Sequence, residues 1–275
     1  MNDDEKKKFR PSKKLGQSFL TDVRIAERIA KSANLQRGEV VLEIGPGKGI
    51  LTRCLLDTGA FVLAIEKDYR LYEELLAVMG SNPNVQLECA DVLDVNLPEL
   101  LAKRLPYEEK AQVVANLPYS ITGPAIFRLL DASERISKIT LMLQREVVDR
   151  MVAKPGSKDY SSLSAGVALH GKAKMLFTVG AGAFRPRPRV QSAVVQIEMI
   201  PIAPPGDLAA ARRVVRAAFT RRRKQLRNSL LESGIFKDGV AEVDKMLAGA
   251  GISPEVRAET LKAEDFLKLA RGLES

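Results

Sequence analysis

In this 275-residue chain, the side chains best suited to chemistry lie in Asn116-Leu117-Pro118-Tyr119. They follow a short apolar run, Val113 to Ala115, that reads as a buried parallel strand. Pro118 cannot continue a ladder and turns the chain at the strand's carboxyl end, the edge where open α/β sheets bind ligands. The Asn116 amide oxygen and the free carbonyls of the turn around Leu117 suit capture of a planar base bearing an amino group. Tyr119 offers that base a stacking face. On these residues alone, an ordinary loop after a strand reads equally well.

A second group lies upstream. The strand Val40 to Ile44 runs into Gly45-Pro46-Gly47-Lys48-Gly49 and then a helix. Glu66 ends the next strand, Phe61 to Ile65, and Asp91 stands just past the third, Val85 to Cys89. Glycines such as Gly45 and Gly47 let backbone approach a ligand closely, and a carboxylate in the place of Glu66 can accept both hydroxyls of a ribose. A dinucleotide turn reads G-x-G-x-x-G, but here the last position is Ile50. The looser G-x-G-x-G, with Asp91 placed to accept an adenine amino group, suits S-adenosylmethionine, which has a ribose and an adenine but no phosphate. Glu43 adds a third negative group near the turn.

Strand and helix alternate from Val40 to Val152, the mark of a mostly parallel sheet with helices on both faces. Lys174 to Val179 and Val190 to Ile200 then read as strands with no helix between them, an antiparallel hairpin at the sheet's edge. The expected class is α/β: a Rossmann-like methyltransferase sheet followed by a small all-α C-terminal domain. Residues 1–14 read as a flexible basic arm, 15–200 as the methyltransferase domain, the proline-rich 201–206 as a linker and 207–275 as the helical domain. Thr21 or Asp22 is expected to cap the helix that starts near Val23.

The formal net charge is +9, and its distribution is informative. Acids are absent between Glu5 and Asp22, from Tyr160 to Ile197 and from Leu208 to Leu231, while lysines and arginines crowd these windows, Arg221-Arg222-Arg223-Lys224 among them. Such windows in a chain that otherwise mixes signs point to a polyanion, and helices at 207–275 offer contacts to its backbone. They are not paired with a strongly apolar helix face, which argues against a membrane surface. No apolar run is long enough to span a bilayer, and the charged start of the chain is no secretory signal. Cys54 and Cys89 have no metal-type spacing and read as small core residues of a reduced, cytoplasmic protein. With His170 as the single histidine, in an apolar helical run, no metal site is expected. The chain is expected to be monomeric.

Several motifs together resemble the S-adenosylmethionine-dependent rRNA adenine dimethyltransferases. They are Gly16-Gln17-Ser18-Phe19-Leu20, Val41 to Gly47, Asn116 to Tyr119 and Leu143-Gln144-Arg145-Glu146-Val147. Asp159-Tyr160 before Ser-Leu-Ser and the Phe184-x-Pro-x-Pro-x-Val-x-Ser run ending at Ser192 complete the set. The resemblance implies dimethylation of two adjacent adenosines in the 3′-terminal hairpin of 16S rRNA, within the immature small ribosomal subunit. It implies that Ser18 and Leu20 line the cofactor site, that Gly45 meets the methionine end, and that Glu66 and Asp91 meet ribose and adenine. Asn116 would bridge cofactor and target. Ser18 departs from the asparagine or histidine found in many members and has a shorter reach.

An adenine amine is a weak nucleophile, whereas S-adenosylmethionine carries an excellent leaving group, so positioning matters more than a strong base. Asn116 and a carbonyl near Leu117 would accept the two amine hydrogens, with Asn116 as orienter. Tyr119 would stack on one face of the extruded base and Phe184 on the other, an assignment that leans on the resemblance. Three rivals remain at this level. One is the related class that methylates a large-subunit rRNA adenine. Another is an RNA-binding assembly or transcription factor on the same scaffold. The third is a DNA or protein-glutamine methyltransferase.

Overall fold

The computed structural model describes residues 18–106, 109–221, 223–236 and 238–272. The expected basic arm, Gly16, Gln17 and Arg222 lie outside them. In chain order the elements begin with β1 (Phe19–Leu20), α1 (Val23–Ala33), β2 (Val40–Ile44), α2 (Ile50–Leu56), β3 (Phe61–Glu66), α3 (Tyr69–Met79) and β4 (Val85–Cys89). There follow α4 (Leu97–Ala102), β5 (Ala111–Asn116), α5 (Thr122–Asp131), β6 (Ile136–Gln144), α6 (Arg145–Met151), α7 (Ser162–His170) and β7 (Gly171–Val179). The chain continues through β8 (Phe184–Arg185) and β9 (Ser192–Met199) to α8 (Pro205–Ala218), α9 (Leu226–Glu232), α10 (Val240–Ala250) and α11 (Ala263–Arg271).

Seven strands form one sheet in the order β4-β3-β2-β5-β6-β9-β7. The pairs from β4 to β6 are parallel, and β9 runs antiparallel to both β6 and β7. The expected hairpin is present, with its second strand inserted between β6 and its first. Every residue of β2 is buried, as a strand covered on both faces requires. Asp22 caps α1 and Asp68 caps α3, each accepting the backbone N–H two residues on, at 3.0 and 3.1 Å.

Strand order reverses between β2 and β5. The chain leaves β2 toward β3 on one side and later enters β5 on the other, so the crossover connections diverge and leave a crevice at the carboxyl edge. The glycine turn and the Asn116 turn are the two walls of that crevice. A small ribbon missing from the expectation, β1 paired antiparallel with β8, brings the N-terminal segment over the same edge. Two-residue strands carry too little periodicity to be read from sequence.

α8 begins at Pro205, within the proline-rich 201–206 stretch, where proline is well suited to the first turn of a helix. The core under the C-terminal helices also includes Tyr160, Ala165 and Leu169, from before the linker. Tyr160 donates its hydroxyl to the Leu261 carbonyl at 2.8 Å. The C-terminal helices are therefore built onto α7. Cys54 is buried as expected, but Cys89 is exposed, because β4 is an edge strand with no covering layer at its end.

Gly49 sets the entry into α2. Its φ is +72°, and a Cβ there would stand 2.7 Å from the side-chain ends of Leu75 and Met79. Gly49→Ala is expected to cost about 1–3 kcal/mol in urea unfolding, from the left-handed backbone and the displaced side chains. An unchanged midpoint would show that the turn relaxes freely.

Candidate active site

A cavity opens at the carboxyl ends of β2 and β5. It is lined from the glycine turn by Gly45 and Gly47, from β3 by Glu66, from the N-terminal segment by Ser18 and Leu20, and from the second turn by Asn116, Leu117 and Tyr119. Nine of the ten expected cofactor and catalytic residues bear on this region, eight directly and Asp91 in an adjoining hollow that shares Gly45, Glu66 and Pro118. 

The exception is Phe184.

The backbone explains the gathering. Gly45 and Gly47 have φ of +68° and +59°, which turns their edges toward the cavity, and a side chain on Gly47 would press the Phe19 ring at 3.1 Å. Pro118 packs on Gly45, so the two turns touch. Beyond Pro118 the chain makes a single helical turn, Tyr119–Ile121, that leads into α5. Tyr119 is half-buried, and its hydroxyl is 2.8 Å from Ser192 Oγ at the start of β9. The Asn116 side chain and the Leu117 carbonyl make no hydrogen bond among the described residues. The Leu117 side chain is buried in the core, so its part in the cavity falls to its backbone.

Three carboxyl groups surround the cavity, each in a different state. Glu66 accepts the Gly47 N–H at 3.1 Å on one oxygen and the Asp68 N–H at 2.8 Å on the other. Burial pushes its carboxyl up, and these amides pull it partly back. Each oxygen keeps a second lone pair for a ribose hydroxyl. Burial also pushes Asp91 up, but the Lys67 ammonium and the Leu93 N–H outweigh it and hold the group below its ordinary value. Asp91 Oδ1 accepts the Leu93 N–H at 2.9 Å and Oδ2 faces Lys67.

Glu43 differs from the expectation of a third negative charge. It is 1% exposed, and its Oε2 has no hydrogen-bond partner. Desolvation pushes its carboxyl up to about 8; the nearby Thr52 hydroxyl pulls it partly back, and the charge of Glu66 adds to the rise. Glu43 is therefore mostly protonated at neutral pH. Sequence shows the acid but not the depth at which it lies.

Phe184 is the expected site residue that the fold does not deliver. It is 1% exposed, pairs with Leu20 across the small ribbon and belongs to the core beneath α1 and β9. With no free ring face, it cannot sandwich a base in this conformation. Its contribution here is to hold Leu20, which lines the cavity. Phe19 and Lys48 also line the cavity and were not singled out from sequence. The glycine at position 47, which leaves room for the Phe19 ring, was the one available signal.

The cavity fits S-adenosylmethionine on the structure's own terms. It combines a glycine cradle that side chains would narrow, a ribose-type carboxylate, an orphaned buried carboxyl oxygen and a free amide. With the strand order above, this defines a Rossmann-like S-adenosylmethionine-dependent methyltransferase. A family profile described as "Ribosomal RNA adenine dimethylase" matches residues 8–274. Ribosomal RNA small subunit methyltransferase A of Geobacter sulfurreducens is 42% identical over 271 residues, covering 96% of each chain. The protein of that name from Protochlamydia amoebophila is 38% identical over 265 residues, covering 96% of this chain and 92% of its own. Among solved structures, a dimethyladenosine transferase from Plasmodium falciparum aligns with TM-score 0.71 and 26% identity, covering 91% of this chain and 95% of its own. The 23S rRNA methyltransferase ErmE aligns with TM-score 0.65 and 27% identity, covering 94% and 100%. The chain belongs to the ribosomal RNA adenine dimethylase family.

The state of Glu43 gives a stability test without cofactor. Its native pKa of about 8 lies above the 4.5 of an unperturbed glutamate, so the native state holds an extra proton between those values. Stability must then fall as pH rises through that window. In thermal unfolding from pH 5 to pH 8.5, the unmodified protein is expected to lose stability relative to Glu43→Gln. Parallel curves would mean that Glu43 is ionised throughout.

Proposed function

We propose that this chain transfers methyl groups from S-adenosylmethionine to the exocyclic amines of two adjacent adenosines in the 3′-terminal hairpin of 16S rRNA. The observation that carries this reading is the free Asn116 amide beside the free Leu117 carbonyl, between the glycine turn and the Tyr119 ring. The names of the small-subunit relatives support the substrate.

The two acceptors suit the two hydrogens of an adenine amine. Accepting both turns the nitrogen lone pair out of the ring plane's conjugation and fixes its direction of attack. S-adenosylmethionine supplies an electrophilic methyl group and a neutral thioether leaving group. An amide does not take up a proton at neutral pH, so Asn116 orients the amine, and the spare proton passes to solvent after transfer. Tyr119, anchored through Ser192, stacks on the extruded base, a contact worth ~1–3 kcal/mol against the few needed to unstack it.

The basic helices take the RNA backbone, with a division among their arginines. Arg212 pairs with Asp131, Arg227 with Asp244, and Arg221 and Lys224 with Glu232. Arg213, Arg216 and Arg223 are exposed without such partners among the described residues and are the better phosphate contacts. The immature small subunit is the partner in this reading, and the protein acts as a monomer in the cytoplasm. No helix among the described residues is long and apolar enough to cross a membrane.

Labelled methyl transfer to under-methylated small and large subunits, with mapping of the modified bases, tests the proposal. Two adjacent dimethylated adenosines near the 3′ end of 16S rRNA are expected. Label confined to large-subunit rRNA would favour the ErmE-like activity instead. Asn116→Ala is expected to lower the transfer rate by about 10²–10³ while RNA binding persists. Near-normal turnover would remove Asn116 from the mechanism.

A further inference from the structure

The strand pairing that places Asn116 also builds a second hollow. Asn116 stands opposite Met142 of β6, and β6 ends two residues later at Gln144, itself opposite Ser192 of β9. Beyond that end lies a groove lined by Gln144, Arg145, Asp149, Asp159, Val190 and Gln191. All but Asp149 come from three motifs of the sequence that place no residue against the cofactor: Gln144 to Val147, Asp159-Tyr160 and the proline-rich run ending at Ser192.

The groove is built rather than incidental. Arg145 Nε donates to both Asp149 oxygens at 2.9 and 3.0 Å, and its backbone N–H donates to the Gln191 carbonyl at 2.9 Å. Glu146, also at its wall, pairs with Arg150. The side chains of Gln144, Gln191 and Asp159 make no hydrogen bond or ion pair among the described residues. The hollow therefore presents two free amides, one free carboxylate and the apolar Val190. Exposed Arg187 and Arg189 lie just before it in the chain.

Its distance from the first cavity is set by the sheet. One strand across at about 4.8 Å and two residues along at about 3.3 Å each put the backbones of Asn116 and Gln144 about 8 Å apart. That is within the reach of one nucleotide of an unstacked strand. The Tyr119–Ser192 contact links the two hollows, since Ser192 directly follows Gln191.

We propose that this groove holds the base of the nucleotide next to the adenosine being methylated. A glutamine amide can pair with both the amino group and the ring nitrogen of an adenine edge, and unstacked bases in RNA are read in this way. The Asp159 carboxylate accepts from an amino group but not from a carbonyl edge, which favours adenine or cytosine over uracil. Arg187 and Arg189 face the phosphates. The inference rests on the proposed rRNA activity: of two adjacent target adenosines, one occupies the groove while the other is at Asn116.

The test uses small subunits reconstituted with 16S rRNA in which one adenosine of the pair is replaced by uridine. Methyl transfer to the remaining adenosine by the unmodified protein is expected to fall about tenfold or more. For the Gln144→Ala, Gln191→Ala double variant, the native and replaced subunits should be methylated at rates within about threefold of each other. S-adenosylmethionine affinity serves as the control for folding of the variant. Equal rates on both subunits with the unmodified protein would overturn the inference, and so would full discrimination retained by the double variant. Absence of methylation on native subunits would instead overturn the proposed function, so the two failures are distinct.

Discussion

The reversal of strand order between β2 and β5 is the constraint on which the site depends. Two parallel strands lie side by side, but their connections leave in opposite directions, so nothing fills the space at their carboxyl ends. Only backbone that turns sharply there can wall a crevice without closing it. Gly45 does so with a positive φ, and Pro118 does so by ending the ladder and packing against Gly45. The residues argued to touch cofactor or target hang from these two turns, stand at the neighbouring strand ends as Glu66 and Asp91 do, or are carried over them as Ser18 and Leu20 are by the β1–β8 ribbon.

The electrostatics of the crevice follow from depth. Of three nearby acids, the most deeply buried keeps its proton, the next is held by backbone amides, and the third is paired with a lysine. None is poised as a strong base toward Asn116. That agrees with a reaction whose difficulty is orientation. The arrangement that holds the amine is accordingly neutral, an amide and a carbonyl, and its partners are structural: Ser192 fixes Tyr119, and β6 fixes β5.

Much of this was legible in the chain because the informative residues are backbone-dictating ones. Glycines at 45 and 47, a proline at 118 and acids at strand ends announce a crevice before any packing is known. The alternation of strands and helices likewise gave the sheet. What was not legible depended on long-range packing. Phe184 carries an aromatic ring at the head of a turn, but pairing with Leu20 buries it. Glu43 is an acid whose charge is decided by how completely helices cover β2. The burial of Tyr160 and α7 side chains under helices far along the chain is likewise a matter of long-range packing. The arginine-rich windows showed a polyanion's complement, yet not that Arg212 and Arg227 are engaged within the protein.

The central claim is that the two turns form one site, with the cofactor on the glycine side and its reactive end at the Asn116 amide. A crystal structure of the protein with S-adenosylhomocysteine tests it most directly. The account predicts ribose hydroxyls on Glu66, the adenine against Asp91 and the sulfur directed at Asn116. A cofactor bound with its sulfur turned away from the Asn116 turn would contradict it.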